Sequence, residues 1–219
     1  MFGPGFERQL LMLPLTILSL SVHEFAHAWT AWRLGDDTAS REGRLTLNPL
    51  SHVDLFGTIL LPLLGVPFGW AKSVPVNPVR FRRDVTMSGG MAITASAGPL
   101  SNILLSVGGA IALGLAYRFS PAAVAFGSAG DFFLRKFIQL NVGLAIFNML
   151  PVPPLDGSRI VAWLLPTRFR DQWHQLETFS PFILLALFWL GRDLLGAVLG
   201  PPVDLVLRIL SHLVEAVAR

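Results

Sequence analysis

From Leu10 to Trp32 the chain is almost wholly apolar, yet His23, Glu24 and His27 stand inside that run. A bilayer core of about 30 Å takes about 20 apolar helical residues, so the segment is long enough to cross one. Ionisable groups at such depth are costly and mark function by default. The rest of the chain has the same texture. Of its 219 residues 53% are hydrophobic and 14% charged, whereas a soluble domain is nearer to about a quarter charged. Lipid must therefore be much of the solvent.

Further apolar runs set the architecture. Gly90–Tyr117 reads as a second span, Phe137–Leu150 with its flanks as a shorter third, and Phe179–Leu199 as a fourth. Val203–Val217 carries Arg208, His212 and Glu215, which suits either a short span or a helix lying at the interface. The first run continues through His23–His27 without a small-residue cleavage pattern, so it reads as a retained helix. Between the first two spans, Gly43–Pro49 and Trp70–Val76 read as short strands. Gly57–Pro67 is too broken by Pro62, Gly65 and Pro67 to span. Non-helical backbone at membrane depth needs protein or water around it. The expected fold is thus a mainly α, polytopic transmembrane bundle with a small, partly re-entrant β region after the first helix. It forms one membrane-embedded domain over 1–219, with a core at about 10–158 and added C-terminal helices at 179–217.

Charge and composition narrow the function. The formal net charge of +3 comes from basic residues clustered between apolar runs, which suits topology signals and gives no phosphate-tracking groove, so nucleic acid is not an expected partner. With the C-terminal end of the first helix in the cytosol, that side holds Arg33, Arg41, Arg44, Lys72, Arg80, Arg82, Arg83, Arg159, Arg168 and Arg170. The other side holds Arg8, Arg118, Arg135, Lys136 and Arg192. This split favours a multi-pass protein of the cell membrane with its chemistry toward the cytosol. There is no cysteine, so any metal must be held by His, Asp, Glu or backbone oxygen.

His23-Glu24-Phe25-Ala26-His27 has the form H-E-x-x-H on a helix. Residues four apart share a face, so both imidazoles can reach one ion while Glu24 stays beside it as a proton acceptor. A catalytic zinc usually takes a third protein ligand. By spacing alone Asp156, Asp54, His52, Glu42, Asp36 and Asp37 are candidates, with Asp36 and Asp37 resembling a solvated loop. Asp156 stands just past a run of prolines and before Gly157, where the chain can turn back. Gly90, Thr94, Gly98, Asn102, Ser106, Ala110 and Gly114 make a stripe of small residues at four-residue spacing, suited to close helix packing. Asn102 fits interhelical bonding slightly better than substrate contact. Asn148 fits either a substrate role or a helix end, and His52 either a partner of a ligand or an interface residue. The tryptophans mark interfaces.

The H-E-x-x-H helix, Gly98-Pro99-Leu100-Ser101-Asn102, and the stretch Asn148-Met149-Leu150-Pro151-Val152-Pro153-Pro154-Leu155-Asp156-Gly157 together resemble the site-2 proteases. Arg44-Leu45-Thr46-Leu47-Asn48-Pro49 and Gly69-Trp70-Ala71-Lys72 are similar to the short prokaryotic members that consist of the core alone. Leu55 and Ser73 depart from the pattern, standing where proline is expected. The resemblance implies an intramembrane zinc metalloprotease with one Zn2+ per chain, held by His23, His27 and Asp156. It further implies Glu24 as general base, Asn148, Pro151 and Asn102 near the substrate, and a transmembrane protein as substrate. The rival reading is an intramembrane metal or ion carrier using the same His and Asp residues, which predicts ionisable groups staggered through the membrane depth.

Overall fold

The computed structural model describes residues 4–63, 70–189 and 192–219. Its principal helices are α1 (Pro4–Arg33), α2 (Thr38–Arg41), α3 (Leu61–Leu63), α4 (Met87–Phe119), α5 (Ala129–Asn148), α6 (Asp156–Leu164), α7 (Arg170–Thr178), α8 (Ser180–Trp189) and α9 (Arg192–Ala218). Three of them contain stretches long and apolar enough to cross a membrane: Leu10–Arg33, Met87–Phe119 and Asp193–Ala218. The C-terminal expectation needs revision here. The fourth and fifth apolar runs, expected as separate segments ending at Leu199 and starting at Val203, meet within α9, which continues through Pro201 and Pro202.

The chain forms two compact units. The first comprises Met1–Ser101 with Arg159–Leu164, the second Asn102–Ser158 with Leu165–Arg219. In the second, α5 packs on α9, and Ala110, Leu113, Val124, Ile138, Val142 and Leu210 are buried together. Gly114 of α4 lets that helix approach α9: a Cβ there would stand 2.8 Å from the Val214 carbonyl oxygen. All seven residues of the small-residue stripe on α4 are buried, while Ile93, Leu100 and Leu104 on its other side are exposed. Such a helix has small residues toward protein and long apolar ones toward lipid.

In the first unit, α1 and α2 end in the same way. Gly35 (φ +109°) and Gly43 (φ +68°) take the left-handed conformation just past each helix. Asp36 N–H donates to the Ala31 carbonyl at 2.9 Å and Arg44 N–H to the Ala39 carbonyl at 2.8 Å, the Schellman pattern that glycine allows. Each turn aims the following polar residue inward. Asp36 is fully buried. It accepts from the Thr38 N–H at 3.0 Å, from the Thr38 hydroxyl, and from the Asn77 N–H at 2.6 Å. Asp36 is therefore no part of a solvated loop. Each buried donor left without its acceptor would cost about 1–3 kcal/mol. Asp37 beside it does face water. Its hydrogen bond to Arg41 holds the carboxyl below the usual range against the opposing effect of desolvation, and Arg80 adds to the lowering. The folded-state pKa is depressed, so that contribution is present above the ordinary carboxylate pKa and fades as pH falls through the folded value.

The expected β region is absent among the described residues. Residues 70–77 are extended, but one backbone bond, Lys72 N–H to the His52 carbonyl at 2.9 Å, is not a ladder. Side chains take the remaining places. Thr58 Oγ1 donates to the Trp70 carbonyl at 2.7 Å, Arg44 Nη1 to that of Lys72 at 2.9 Å, and Asp36 accepts from Asn77. Residues 43–49 form a turn held in part by His52, whose Nε2 meets the Thr46 carbonyl at 2.8 Å. Leu55–Leu60 is a π-helical stretch running into α3; residues 64–67 of the expected re-entrant run lie outside the described residues.

Candidate metal centre

The two histidines arise from one stretch of helix. His23, Glu24 and His27 are all buried, at 4%, 8% and 8% exposure. The imidazoles meet edge to face with Nε2 atoms 3.0 Å apart. Two nitrogens each about 2.0–2.1 Å from a tetrahedral zinc stand about 3.3 Å from one another, so the pair needs to open by only a few tenths of an ångström. His27 Nδ1 lies 2.7 Å from the Thr94 carbonyl of α4. A carbonyl only accepts, so Nδ1 carries the proton and the Nε2 lone pair faces the gap, the usual arrangement for a metal-ligating histidine.

Gly98 makes room for this. A Cβ at that position would sit 2.4 Å from His27 Nε2 and 2.5 Å from His23 Nε2, closer than any carbon–nitrogen contact tolerates. The glycine of Gly98-Pro99 therefore lets α4 approach the donor atoms themselves. Glu24 does not turn into the pair. Its Oε2 accepts from the Val74 N–H at 2.9 Å, so the extended segment anchors the carboxylate.

In the second unit Asp156 opens α6. The turn that presents it closes tightly, for a Cβ on Gly157 would overlap the Met149 carbonyl oxygen at 2.2 Å and that of Leu150 at 2.5 Å. Within the first unit, His23 and His27 turn two nitrogen donors toward a common point, as two ligands of one metal ion must. The other third-ligand candidates are engaged elsewhere. Asp54 accepts from the Phe56 and Gly57 N–H groups, His52 pins the Thr46 turn, Asp36 and Asp37 serve the loop after α1, and Glu42 is exposed. An oxygen and nitrogen donor set of this kind suits zinc.

The residues expected near substrate divide. Pro151 is exposed. Asn148 Nδ2 donates to the Leu144 carbonyl one turn back at 3.0 Å, as a helix-end residue does. Asn102 is fully buried, and its Nδ2 donates to Asn141 Oδ1 at 2.9 Å, tying α4 to α5. Asn141 in turn donates to the Phe137 carbonyl at 2.9 Å. Sequence reasoning missed Asn141; a buried polar partner for Asn102 on a second apolar helix was the available signal.

A membrane-length helix bearing two histidines four residues apart, with a carboxylate beside the first, defines the helical type of metallopeptidase centre. The comparisons name the lineage. Residues 117–190 match the model of Peptidase family M50. The chain is 41% identical over 202 residues to the Bacillus subtilis protein named "Putative zinc metalloprotease YwhC", covering 91% of this chain and 90% of that one. It is 35% identical over 148 residues to "Putative zinc metalloprotease Rip2" of Mycolicibacterium smegmatis, covering 68% of this chain and 54% of that one. With "Putative zinc metalloprotease MJ0611" of Methanocaldococcus jannaschii it shares 31% identity over 109 residues, 49% of this chain and 51% of the other. No solved structure matches. The chain belongs to Peptidase family M50.

Proposed function

We propose that this chain is an intramembrane zinc endopeptidase that hydrolyses peptide bonds in transmembrane protein substrates. The observation that carries the reading is the paired Nε2 atoms of His23 and His27, 3.0 Å apart, on the helix where Glu24 follows the first of them and is held by the Val74 N–H. His23 and His27 would hold the ion through Nε2, with Asp156 as the third ligand. Zinc, when bound, lowers the pKa of a water and polarises the scissile carbonyl. Glu24 accepts a proton from the water that adds to the carbonyl carbon. It then returns that proton to the amide nitrogen as the C–N bond breaks, leaving one carboxylate and one amine. Asn148 and Pro151, on the turn that presents Asp156, meet the substrate next to the reacting bond. Asn102 acts through Asn141 as a fastener of helices. An apolar cleft of about 540 Å³ along α1 from Leu10 to Ser21, closed by Leu47 and Pro49, gives a transmembrane substrate segment a seat on the helix that carries the histidines.

The carrier reading finds no support. It requires ionisable groups staggered across the membrane, whereas those of the apolar run Leu10–Trp32 are His23, Glu24 and His27, gathered toward one end, and the family is one of peptidases. The test is cleavage of a model transmembrane substrate in detergent beside elemental analysis. About one zinc per chain is expected. Chelation should stop cleavage and added Zn2+ restore it; cleavage that survives complete removal of the metal would sink the proposal.

The charge distribution supports a cytosolic-side site. The chain has no cysteine, so single-cysteine labelling is clean. Arg82→Cys should react only from the cytosolic side and Ala122→Cys only from the opposite one. The reverse pattern overturns the orientation.

A further inference from the structure

The geometry points to Arg44 as a positioning residue for the general base, acting on Glu24 through the peptide group between Ser73 and Val74; this rests on the reading of Glu24 as that base. The Schellman turn at Gly43 delivers Arg44 inward, where it is 8% exposed. A guanidinium stripped of water normally finds a carboxylate. The hydrogen-bond partners of Arg44 among the described residues are instead backbone carbonyls: Nη1 lies 2.9 Å from the Lys72 oxygen and 3.4 Å from that of Ser73. The second contact is long, yet it falls on a particular peptide. The Ser73 carbonyl belongs to the same amide plane as the Val74 N–H, which donates to Glu24 Oε2 at 2.9 Å. Cation, peptide and carboxylate thus form one line: Arg44, the Ser73 C=O with the Val74 N–H, and Glu24.

Two effects follow from that line. The contact with Lys72 fixes the backbone just before Val74, and the Asp36 bond to Asn77 fixes it just after, so the N–H cannot swing away from the carboxylate. The positive charge near the Ser73 oxygen also polarises the amide and strengthens its N–H as a donor. Glu24 is one residue from His23 on a side chain with free torsions. Its reach toward a water at the ion depends on where the bond from Val74 holds it. A buried arginine bound to two carbonyls is explained by this task, because an uncharged donor would satisfy the same carbonyls without the desolvation cost.

The test is a cleavage assay of Arg44→Met, Arg44→Lys and Glu24→Asp, singly and combined, with zinc content and thermal unfolding measured on each. Arg44→Met should lower kcat about tenfold or more, leave KM within about twofold, and keep about one zinc per chain. Arg44→Lys retains the charge and one donor to Lys72 and should recover most of the rate. Arg44→Met placed on Glu24→Asp, whose shortened side chain no longer spans to Val74, should cost little further, since the two changes break one line. A raised KM at unchanged kcat would make Arg44 part of the substrate seat and overturn the inference. Losses that multiply in the double variant, or loss of zinc, would also overturn it. If Arg44→Met does not fold, Arg44→Lys decides: a well-folded lysine variant as fast as the parent supports the line, and one with raised KM alone refutes it. Failure of the base assignment itself would look different, as full-rate cleavage by zinc-loaded Glu24→Gln.

Discussion

Glu24→Gln is expected to cleave a model transmembrane substrate at least about a hundredfold more slowly than the parent protein while retaining zinc and fold. General-base catalysis is typically worth about 10²–10⁴ in rate, which is roughly 3–5 kcal/mol of barrier. Glutamine has the length of glutamate and keeps a carbonyl oxygen, so the bond from the Val74 N–H, 2.9 Å in the parent, survives. The imidazole pair and the His27 contact with the Thr94 carbonyl are untouched. What is lost is the group proposed to take the proton. The measurement is initial cleavage rate in detergent beside zinc by elemental analysis. A zinc-loaded variant cutting at the parent rate would remove Glu24 from the mechanism. Uncut partners should co-purify with the slow variant and reveal the substrate.

The pairing of His23 and His27 on α1 was legible because two histidines four residues apart on a helix need no tertiary information to share a face. The stripe from Gly90 to Gly114 was legible for the same reason, and every member of it is buried. The extended segment was not. Its composition, with Val74, Pro75 and Val76 after Trp70, resembles a strand. Its backbone, however, is satisfied by Thr58, Arg44 and Glu24, and its end by Asp36. Side chain to backbone pairing over such sequence distances leaves no periodic trace. Asp36 was misread for a related reason. Two consecutive aspartates after a helix suggest a wet loop, but Gly35 reverses the chain so that the first points inward while the second meets Arg41 and Arg80. The apolar runs were separated at Leu199 and Val203, with two prolines between them. In α9 the helix continues through both prolines, as membrane helices tolerate.

Gly98→Ala should weaken zinc binding by about a hundredfold, at the upper end of what disturbing a ligand's supporting contacts does, and Gly98→Val should abolish it. The added Cβ would stand 2.4 Å from His27 Nε2 and 2.5 Å from His23 Nε2, in the space between the donor atoms and α4. A flexible side chain would yield at little cost, but these rings have little freedom. His27 Nδ1 is held at 2.7 Å by the carbonyl of Thr94, one turn earlier on the same helix as Gly98. Rotating the ring away from the new methyl group breaks that bond and turns the Nε2 lone pair off the site. Moving α4 outward instead withdraws the Thr94 carbonyl with it. Either relaxation separates the ligand from what orients it. Gly108→Ala, on the same helix, is the control, because a Cβ there meets nothing within 4 Å. It should keep zinc and stability. The readout is zinc retained against graded concentrations of a competing chelator, with helix content checked by circular dichroism. Parent-like zinc affinity in a folded Gly98→Ala protein would mean that the metal does not sit on the Nε2 atoms facing α4, and the ligand geometry assigned to His23 and His27 would have to be abandoned.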